Sequence, residues 1–365
     1  MKNALHLGSV GGIQIYIHWT FLILIGWIVF NNLRSGADVS EMLWSILFIL
    51  TIFACVTFHE LGHALTAKKF KIITRDITLL PIGGVANMES IPEKPGEELL
   101  VALAGPAVNV VISGILFLAI GSTVTQESFL QLETLNGGNF LFALMFVNLW
   151  LALFNLIPAF PMDGGRVFRA ILAFWMDRVR ATYIAARLGQ LLAMGFVLLG
   201  LFYNPFLVFI GVFVFLGAQA EADQTQTNAW MEGYKVSDAI WGSSPEIEPD
   251  ATIRMAADRL LEGQNKYFLI GKTSQPEGFI GRDEIIKGLR DLGEGALVRQ
   301  AMRKELLHLN PNIPLKTALM QMQLQNQEFA LVVSEGKVLG ALDRDNIAEF
   351  VMIRSAIQSR QNIVR

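Results

Sequence analysis

Residues 58–64 read FHELGHA and lie inside an apolar stretch that runs from residue 43 to residue 67. His59 and His63 are four residues apart, so on a helix their side chains share one face. Two imidazoles on one face can occupy adjacent corners of a zinc tetrahedron. Glu60 lies beside them and can act as general base on a water molecule that the metal activates. The segment therefore predicts a metalloprotease-type zinc site on a membrane helix.

The alternative interpretation of this cluster is a set of buried polar contacts that hold helices together. Ionisable side chains inside a membrane helix are costly and usually functional. Polar contacts between membrane helices are more often made by Ser, Thr or Asn. The catalytic interpretation is therefore favoured over the structural one.

The composition divides the chain into two parts. The protein has 365 residues, of which 53% are hydrophobic, and its mean hydropathy is +0.45. Residues 1–221 carry 25 of the 61 charged side chains and residues 222–365 carry the other 36. Charged residues thus make up about one quarter of residues 222–365, which is the level of soluble domains. The chain is thus predicted as a membrane domain over 1–220, a linker over 221–234 and a soluble module.

Charge and cysteine content exclude several classes of protein. The net charge is −3 and the pI is about 6.0, which argues against a nucleic-acid partner because phosphate binding requires a basic face. The single cysteine, Cys55, excludes an internal disulfide and a multi-cysteine metal site. Cys55 lies one turn before His59 and is interpreted as a packing residue rather than as an extra zinc ligand.

Apolar stretches of spanning length indicate a multi-pass membrane protein, since a spanning helix needs about 20 apolar residues. Six stretches qualify, some of them with tilting: 13–31, 43–67, 98–121, 139–157, 183–203 and 204–220. Lys and Arg concentrate in the loops that follow the second and the fourth stretch. Because basic loops stay on the cytoplasmic side, both termini are predicted to be cytoplasmic, in a bacterial or organellar inner membrane with lipid around the spans.

Two segments lie between the second and the third stretch. Residues 72–92 form an apolar loop in which Pro81 and the pair Gly83-Gly84 break any helix. This loop is interpreted either as a cytoplasmic β-hairpin or as a hairpin that enters the membrane against protein. The acidic side chains just before the third stretch, up to Glu98, are predicted to form a solvated helix start that the helix dipole favours.

A third zinc ligand must come from elsewhere in the chain, because a catalytic zinc usually has three protein ligands and a water. The sequence NLIPAFPMDGGR at 155–166 closes the fourth stretch, and two prolines break the helix there. Asp163 then lies at the same predicted depth as the histidines. A helix-capping aspartate is an equal alternative on spacing alone.

The two motifs together resemble the site-2 proteases, a family of intramembrane zinc metalloproteases. The resemblance rests on HExxH at 59–63 and NxxPxxPxDG at 155–164, and its core covers about 43–167. It implies that one zinc ion is held by His59, His63 and Asp163, and that Glu60 is the catalytic base. The family motif continues in AGPAVN at 104–109, which implies that Asn109 is catalytic and assists substrate or oxyanion binding.

The same resemblance implies how the substrate is bound. The hairpin around Gly83 and Gly84 looks like the family's membrane-associated β-segment, which is proposed to present a strand edge to an unwound substrate. Asn155 of the second motif is assigned to substrate binding as well. The implied substrate is a single-span membrane protein, which is cleaved in or near its transmembrane segment to release a cytoplasmic fragment.

The C-terminal part contains a repeat with an offset of 62 residues. Residues 267–270 match 329–332, and the pair Arg-Asp at 282–283 matches the pair at 344–345. Each copy is predicted as helix, apolar strand, turn, strand and helix, and two such copies are expected to pack on each other. The repeat resembles a pair of CBS domains, predicted over 235–290 and 297–353 and followed by a tail at 354–365.

The CBS resemblance implies ligands and assembly. Tandem modules of this family often bind adenosine nucleotides and commonly dimerise. The ligand motif departs from the family pattern in both copies, with Gly281 and Glu284 in the first and Asp343 and Asn346 in the second. The expectation is therefore an adenosine nucleotide or a protein partner at this module, and a homodimer.

The predicted fold is a polytopic α-helical membrane protein of about six transmembrane helices, with a zinc metalloprotease core and a C-terminal α/β tandem CBS module. The predicted function is regulated intramembrane proteolysis under control of the CBS pair. The alternative function is a CBS-regulated, metal-binding membrane transporter without hydrolysis. Transporters often show internal repeats among their spans, and no such repeat is visible in the sequence of 1–220.

Overall fold

The chain folds as two compact units, residues 1–225 and 226–365. A computed structural model describes residues 4–81, 83–88, 92–121, 136–240, 245–263 and 265–363. Most of the loop between the predicted third and fourth spans lies outside the described residues.

The first unit is mainly helical. Its helices are α1 (Phe21–Ser35), α2 (Val39–Lys69), α3 (Pro95–Ile120), α4 (Phe140–Asn155), α5 (Asp163–Leu172), α6 (Arg178–Phe202) and α7 (Pro205–Trp230). Within the described residues, α2, α3, α6 and α7 are long and apolar enough to cross a membrane, and α1 and α4 are shorter apolar helices. The count of six spans stays a prediction.

Helix α2 carries the HExxH motif, and its two ends show why it forms. The Glu41 backbone N–H donates to Asp38 Oδ1 at 2.7 Å and the Asp38 N–H donates to Glu41 Oε2 at 3.2 Å, a reciprocal capping box. Lys68 and Lys69 lie in the last turn, where positive charge is favourable. The helix has 31 residues and is thus roughly 46 Å long, more than the thickness of a bilayer core.

The prediction of a first helix that begins at residue 13 is wrong. Residues 13–18 form strand β2 (Ile13–His18), and α1 begins only at Phe21. Isoleucine alternates with a more polar residue throughout this segment, and Ile13 and Ile15 are buried. An alternation of period two matches a strand with one buried face rather than a spanning helix.

A four-stranded sheet packs beside α2. It consists of β1 (Ala4–Val10), β2, β3 (Thr74–Leu80) and β4 (Gly83–Met88), in the order β1-β2-β3-β4. Only the β2–β3 pair is parallel. Ile77 and Leu79 of β3 pack with Leu61 and Ala64 of α2. The hairpin predicted within 72–92 is confirmed, whereas its entry into the membrane stays a prediction.

The second unit shows the predicted repeat. The first copy contains α8 (Val236–Ala239), β5 (Glu246–Ile247), α9 (Ile253–Glu262), β6 (Tyr267–Lys272), β7 (Gln275–Gly281) and α10 (Arg282–Asp291). The second contains α11 (Val298–Ala301), β8 (Leu307–Leu309), α12 (Leu315–Leu324), β9 (Phe329–Ser334), β10 (Lys337–Asp343) and α13 (Arg344–Ile363). The short strands β5 and β8, each parallel to its neighbour, are additions to the sequence-based pattern.

The two copies pack on each other through their sheets. Phe279 of β7 and Phe329 of β9 belong to one buried cluster, with ring centroids 5.1 Å apart. Helix α7 continues into the predicted linker and α13 into the predicted tail, so both segments are largely helical. The finer domain bounds of the sequence analysis stay predictions.

Candidate zinc site

Three predicted zinc ligands meet at one point of the first unit. The Nε2 atoms of His59 and His63 are 3.1 Å apart. Oδ2 of Asp163 lies 3.2 Å from His59 Nε2 and 3.1 Å from His63 Nε2. All three side chains are buried, although Asp163 lies a hundred residues beyond His63 in the chain.

This triangle fits a zinc ion. Bonds of about 2.0–2.1 Å to a tetrahedral zinc place neighbouring ligand atoms about 3.3 Å apart, close to the three distances observed. Two imidazole nitrogens and one carboxylate oxygen form a donor set typical of catalytic zinc, which keeps its fourth position for water or substrate. The zinc that the family resemblance implies is therefore compatible with these residues.

The imidazoles are oriented by hydrogen bonds to oxygen acceptors on helix α3. Nδ1 of His63 lies 2.7 Å from the Val101 carbonyl oxygen, and Nδ1 of His59 lies 2.7 Å from Asn109 Oδ1. Because a carbonyl oxygen can only accept, His63 Nδ1 carries a proton and its Nε2 presents a lone pair toward the site. Contacts of this kind fix the tautomer and the ring orientation of zinc-binding histidines.

The family resemblance implies that Asn109 assists substrate or oxyanion binding. It is fully buried, and its Nδ2 donates to Asn148 Oδ1 at 3.1 Å while its Oδ1 faces His59. Both polar atoms of the amide therefore have protein partners in this conformation. The geometry supports an orienting role toward His59, and the role in substrate or oxyanion binding stays a prediction.

Gly105 lets α3 approach the imidazoles. A Cβ atom at this position would overlap Nε2 of both His63 and His59. Gly62 allows the same close approach from the side of α2, because a Cβ there would lie 2.9 Å from the Ala104 carbonyl oxygen and from the Val108 side chain. In the sequence Gly105 is only one residue of the motif at 104–109, and the need for glycine becomes visible with the packing of α2 on α3.

Asp163 is the first residue of α5, and the two glycines that follow it position that helix. A Cβ at Gly164 would overlap the backbone of residues 156–157, and a Cβ at Gly165 would lie 2.7 Å from the backbone of residues 159–160. Met162 occupies the N-cap position and no side chain caps the helix. The alternative of a capping aspartate is therefore not the geometry seen, and Asp163 Oδ2 faces the imidazoles instead.

The predicted catalytic base is covered by the hairpin. Glu60 is half-buried, and a Cβ added to Gly84 of β4 would lie 2.8 Å from Glu60 Cγ. Among the described strands, β4 has a sheet partner on one side only. Gly84 is thus next to Glu60, and Gly83 begins the same edge strand.

Asn155 and Cys55 contact residues other than the three candidate zinc ligands. Nδ2 of Asn155 donates to the Leu151 carbonyl, one turn back on α4, at 3.0 Å. Its predicted role in substrate binding stays a prediction. The Cys55 Sγ lies 3.5 Å from Asn148 Nδ2, in agreement with a packing residue outside the zinc triangle.

Glu98 departs from the expected solvated helix start. It is 2% exposed, and its Oε1 pairs with Arg169 Nη2 at 2.5 Å and with Arg178 Nη2 at 3.3 Å. Arg169 is fully buried and also pairs with Glu221 of α7. The helix dipole alone did not reveal this partner, which comes from α5, some seventy residues later.

Both parts of the chain match known protein families. A family model described as peptidase family M50 matches residues 47–136 and 123–196, and a CBS domain model matches residues 298–353. Zinc metalloprotease MJ0392 of Methanocaldococcus jannaschii is 34% identical over 358 residues, which cover 97% of each chain.

Two further matches are shorter. Stage IV sporulation protein FB of Bacillus subtilis is 30% identical over 120 residues, which cover 33% of this chain and 38% of that protein. The solved structure of a site-2 protease from Methanocaldococcus jannaschii is 36% identical and covers 60% of this chain and 95% of that chain, with a TM-score of 0.44. From the full-length identity and the family match, the chain belongs to peptidase family M50, the site-2 proteases, and is a membrane zinc metalloprotease with a C-terminal CBS module.

Proposed function

We propose that the protein hydrolyses a peptide bond in or near the transmembrane segment of a single-span membrane protein. The observation that carries the proposal is the convergence of His59, His63 and Asp163 from two helices. Glu60 lies eight residues before Lys68 on α2, or about 12 Å along the helix axis. The site is therefore expected below the lipid surface, near the cytoplasmic edge of the hydrocarbon layer.

The proposed chemistry assigns one task to each residue. When bound, Zn²⁺ supplies Lewis acidity to the peptide carbonyl and to the attacking water. His59, His63 and Asp163 hold the ion and leave its fourth position to water or substrate. Glu60 accepts the proton of the attacking water and passes it to the leaving amine.

The edge of β4 is the proposed binding surface for the substrate backbone. A peptide bond inside a membrane helix is protected by the hydrogen bonds of that helix, so cleavage requires local unwinding. An unwound segment can satisfy its backbone groups by adding a strand to an exposed sheet edge. The contact between Gly84 and Glu60 supports this placement, because a strand added at β4 lies beside the base.

We propose that the second unit regulates proteolysis, through an adenosine nucleotide or a protein partner that binds there. The side chains at the ligand-motif positions cap their own helices: Glu284 Oε2 accepts from the Gly281 N–H at 3.1 Å, and Asp343 Oδ1 accepts from the Asn346 N–H at 2.7 Å. We propose further that the protein is a homodimer and that both termini are cytoplasmic. Cleavage measured with and without AMP or ATP tests the nucleotide, and cross-linking in membranes tests the dimer.

The substitution Glu60→Gln tests the proposed function in the full-length protein. We expect the variant to retain zinc and to lose cleavage of a single-span membrane substrate. Glu41→Gln is the matched control, because Gln can still form the capping box at the start of the same helix. Undiminished cleavage by Glu60→Gln refutes the mechanism. Rapid metal flux into liposomes that Glu60→Gln leaves unchanged supports the transporter alternative.

A further inference from the structure

A chain of buried amides connects α4 to the zinc site. Asn148 on α4 and Asn109 on α3 are both fully buried, and His59 on α2 is 7% exposed. Each side chain contacts the next, so three helices are joined by consecutive hydrogen bonds. Asn148 is absent from the sequence-based candidates, although an asparagine within an apolar helix indicates a hydrogen bond to a neighbouring helix.

The first link fixes the orientation of Asn148. Its Nδ2 lies 2.8 Å from the Leu144 carbonyl oxygen, one turn back on α4. A carbonyl oxygen can only accept, so the NH₂ group of Asn148 faces it. The Oδ1 atom of Asn148 then faces α3 and accepts from Asn109 Nδ2 at 3.1 Å.

The second link fixes the tautomer of His59. Because Asn109 Nδ2 donates to Asn148, its Oδ1 faces His59 Nδ1 and accepts a hydrogen bond from it at 2.7 Å. The proton of the neutral ring therefore lies on Nδ1, and Nε2 presents its lone pair to the metal site. An Asn109 amide turned by 180° would donate to Nδ1 instead, and the ring would carry its proton on Nε2.

Both imidazoles carry their proton on Nδ1, but the group that holds that proton differs between them. His63 is held by the Val101 carbonyl, a backbone group that cannot exchange donor for acceptor. His59 is held by an amide, which can present either oxygen or nitrogen. A second residue is therefore needed to set that amide, and Asn148 occupies the required position.

We propose that Asn148 is a positioning residue that, through Asn109, holds His59 in the tautomer that binds zinc. The inference rests on the proposed zinc-binding role of His59. Asn148 acts two hydrogen bonds away from the metal, so it affects how tightly zinc is held without touching zinc or substrate.

The zinc dissociation constant of full-length protein, measured by competition with a chromophoric chelator, tests the proposal. We expect Asn148→Leu to weaken zinc binding by about 10-fold to 100-fold, the range typical for partners of metal-bound histidines. Asn148→Ala is a second variant that removes the amide without adding volume. Ser113→Ala is the matched control, because it removes another buried hydrogen bond between α3 and α4, from Ser113 Oγ to the Met145 carbonyl.

A rescue variant separates orientation from simple structural support. Both carboxylate oxygens of an aspartate accept, so Asn109→Asp needs no partner to orient it. We therefore expect Asn109→Asp to restore tight zinc binding in the Asn148→Leu and Asn148→Ala backgrounds. The absorption spectrum of the Co²⁺-substituted protein should return to the wild-type form in the same variants.

Two outcomes overturn the inference: wild-type zinc affinity in both Asn148 variants, or failure of Asn109→Asp to restore an affinity that those variants have lost. His59→Ala distinguishes this failure from that of the proposed function. If His59→Ala retains wild-type zinc affinity, the zinc site itself is wrong. If His59→Ala loses zinc while the Asn148 variants do not, only the role of Asn148 is refuted.

Discussion

Arg169 Nη2 and Glu98 Oε1 lie 2.5 Å apart in a part of the first unit where neither side chain is more than 2% exposed. This ion pair joins α5, the helix that begins with Asp163, to α3, the helix that orients both imidazoles. Glu221 of α7 and Arg178 of α6 complete a cluster of two positive and two negative charges. The ring of Phe160, which precedes α5, lies 5.0 Å from the guanidinium carbon.

Removal of Arg169 should therefore destabilise the membrane unit. Arg169→Gln leaves Glu98 without its main partner in a buried site, and the loss of one member of a buried ion pair costs about 3–5 kcal/mol. Arg169→Lys should also destabilise, because an ammonium group cannot make the forked contacts of a guanidinium. Thermal unfolding in detergent measures both. Arg187→Gln, an exposed arginine that contacts Tyr183, is the control and should change little.

Gly105→Ala should abolish zinc binding. The added methyl group would occupy the space of both Nε2 atoms, so the imidazoles must turn away from Asp163. Gly114→Ala on the same helix has open space around the new methyl group and should retain zinc. Metal analysis of the purified proteins distinguishes the two, and equal zinc content would contradict the close approach of α3.

Asp163→Ala should release zinc from a protein that still folds. Two imidazoles alone leave the ion without its anionic ligand, and a catalytic zinc usually needs three protein ligands. Asp177→Asn is a suitable control, because asparagine replaces aspartate well at the N-cap of α6. Zinc content and cleavage should fall together in Asp163→Ala, and a full complement of zinc in this variant would place the ion elsewhere.

Gly84→Val should impair cleavage without loss of zinc. The valine side chain would enter the space next to Glu60, where a substrate strand is proposed to lie, whereas the three zinc ligands are on other elements. Gly26→Ala in α1 is the control, because a Cβ at that position would have no atom within 4 Å. A variant that cleaves as fast as wild type would argue against substrate binding at the edge of β4.

The second unit should show a pH dependence that comes from Asp343. Burial raises the pKa of its carboxyl group above the ordinary value. A carboxyl with a raised pKa in the folded state favours folding when protonated, and this contribution is lost as the pH rises through the folded-state pKa. Asp343→Asn removes the buried negative charge and should therefore raise thermal stability at pH 7. The amide oxygen of the new asparagine can still accept from the Asn346 N–H.

The stability gain of Asp343→Asn should shrink as the pH is lowered through that pKa. Thermal unfolding of the full chain at a series of pH values between about 4 and 7 measures this. Asp291→Asn, at an exposed carboxylate whose pKa is lowered by Arg290, is the control, and its difference from wild type should not shrink in this way. A constant difference between Asp343→Asn and wild type across the range would refute the assignment.

Features encoded over short sequence distances could be predicted. The pairing of His59 with His63 depends only on four residues of one helix, and the resulting imidazole pair is present. The repeat in 235–352 is visible in the sequence because matching residues recur at a constant offset of 62. The exception was residues 13–18, where a high apolar content concealed the two-residue alternation of β2.

The membrane character, the paired imidazoles with their neighbouring carboxylate, and the repeated module can all be derived from the order of the residues. The contacts of Asp163 with those imidazoles, of Asn109 with His59, and of Glu98 with Arg169 depend on how the helices pack. The reason is that local periodicity sets which face of a helix a side chain occupies, whereas the distance between helices depends on their packing. Here that packing requires glycine where α3 approaches the imidazoles and where α5 meets the preceding segment.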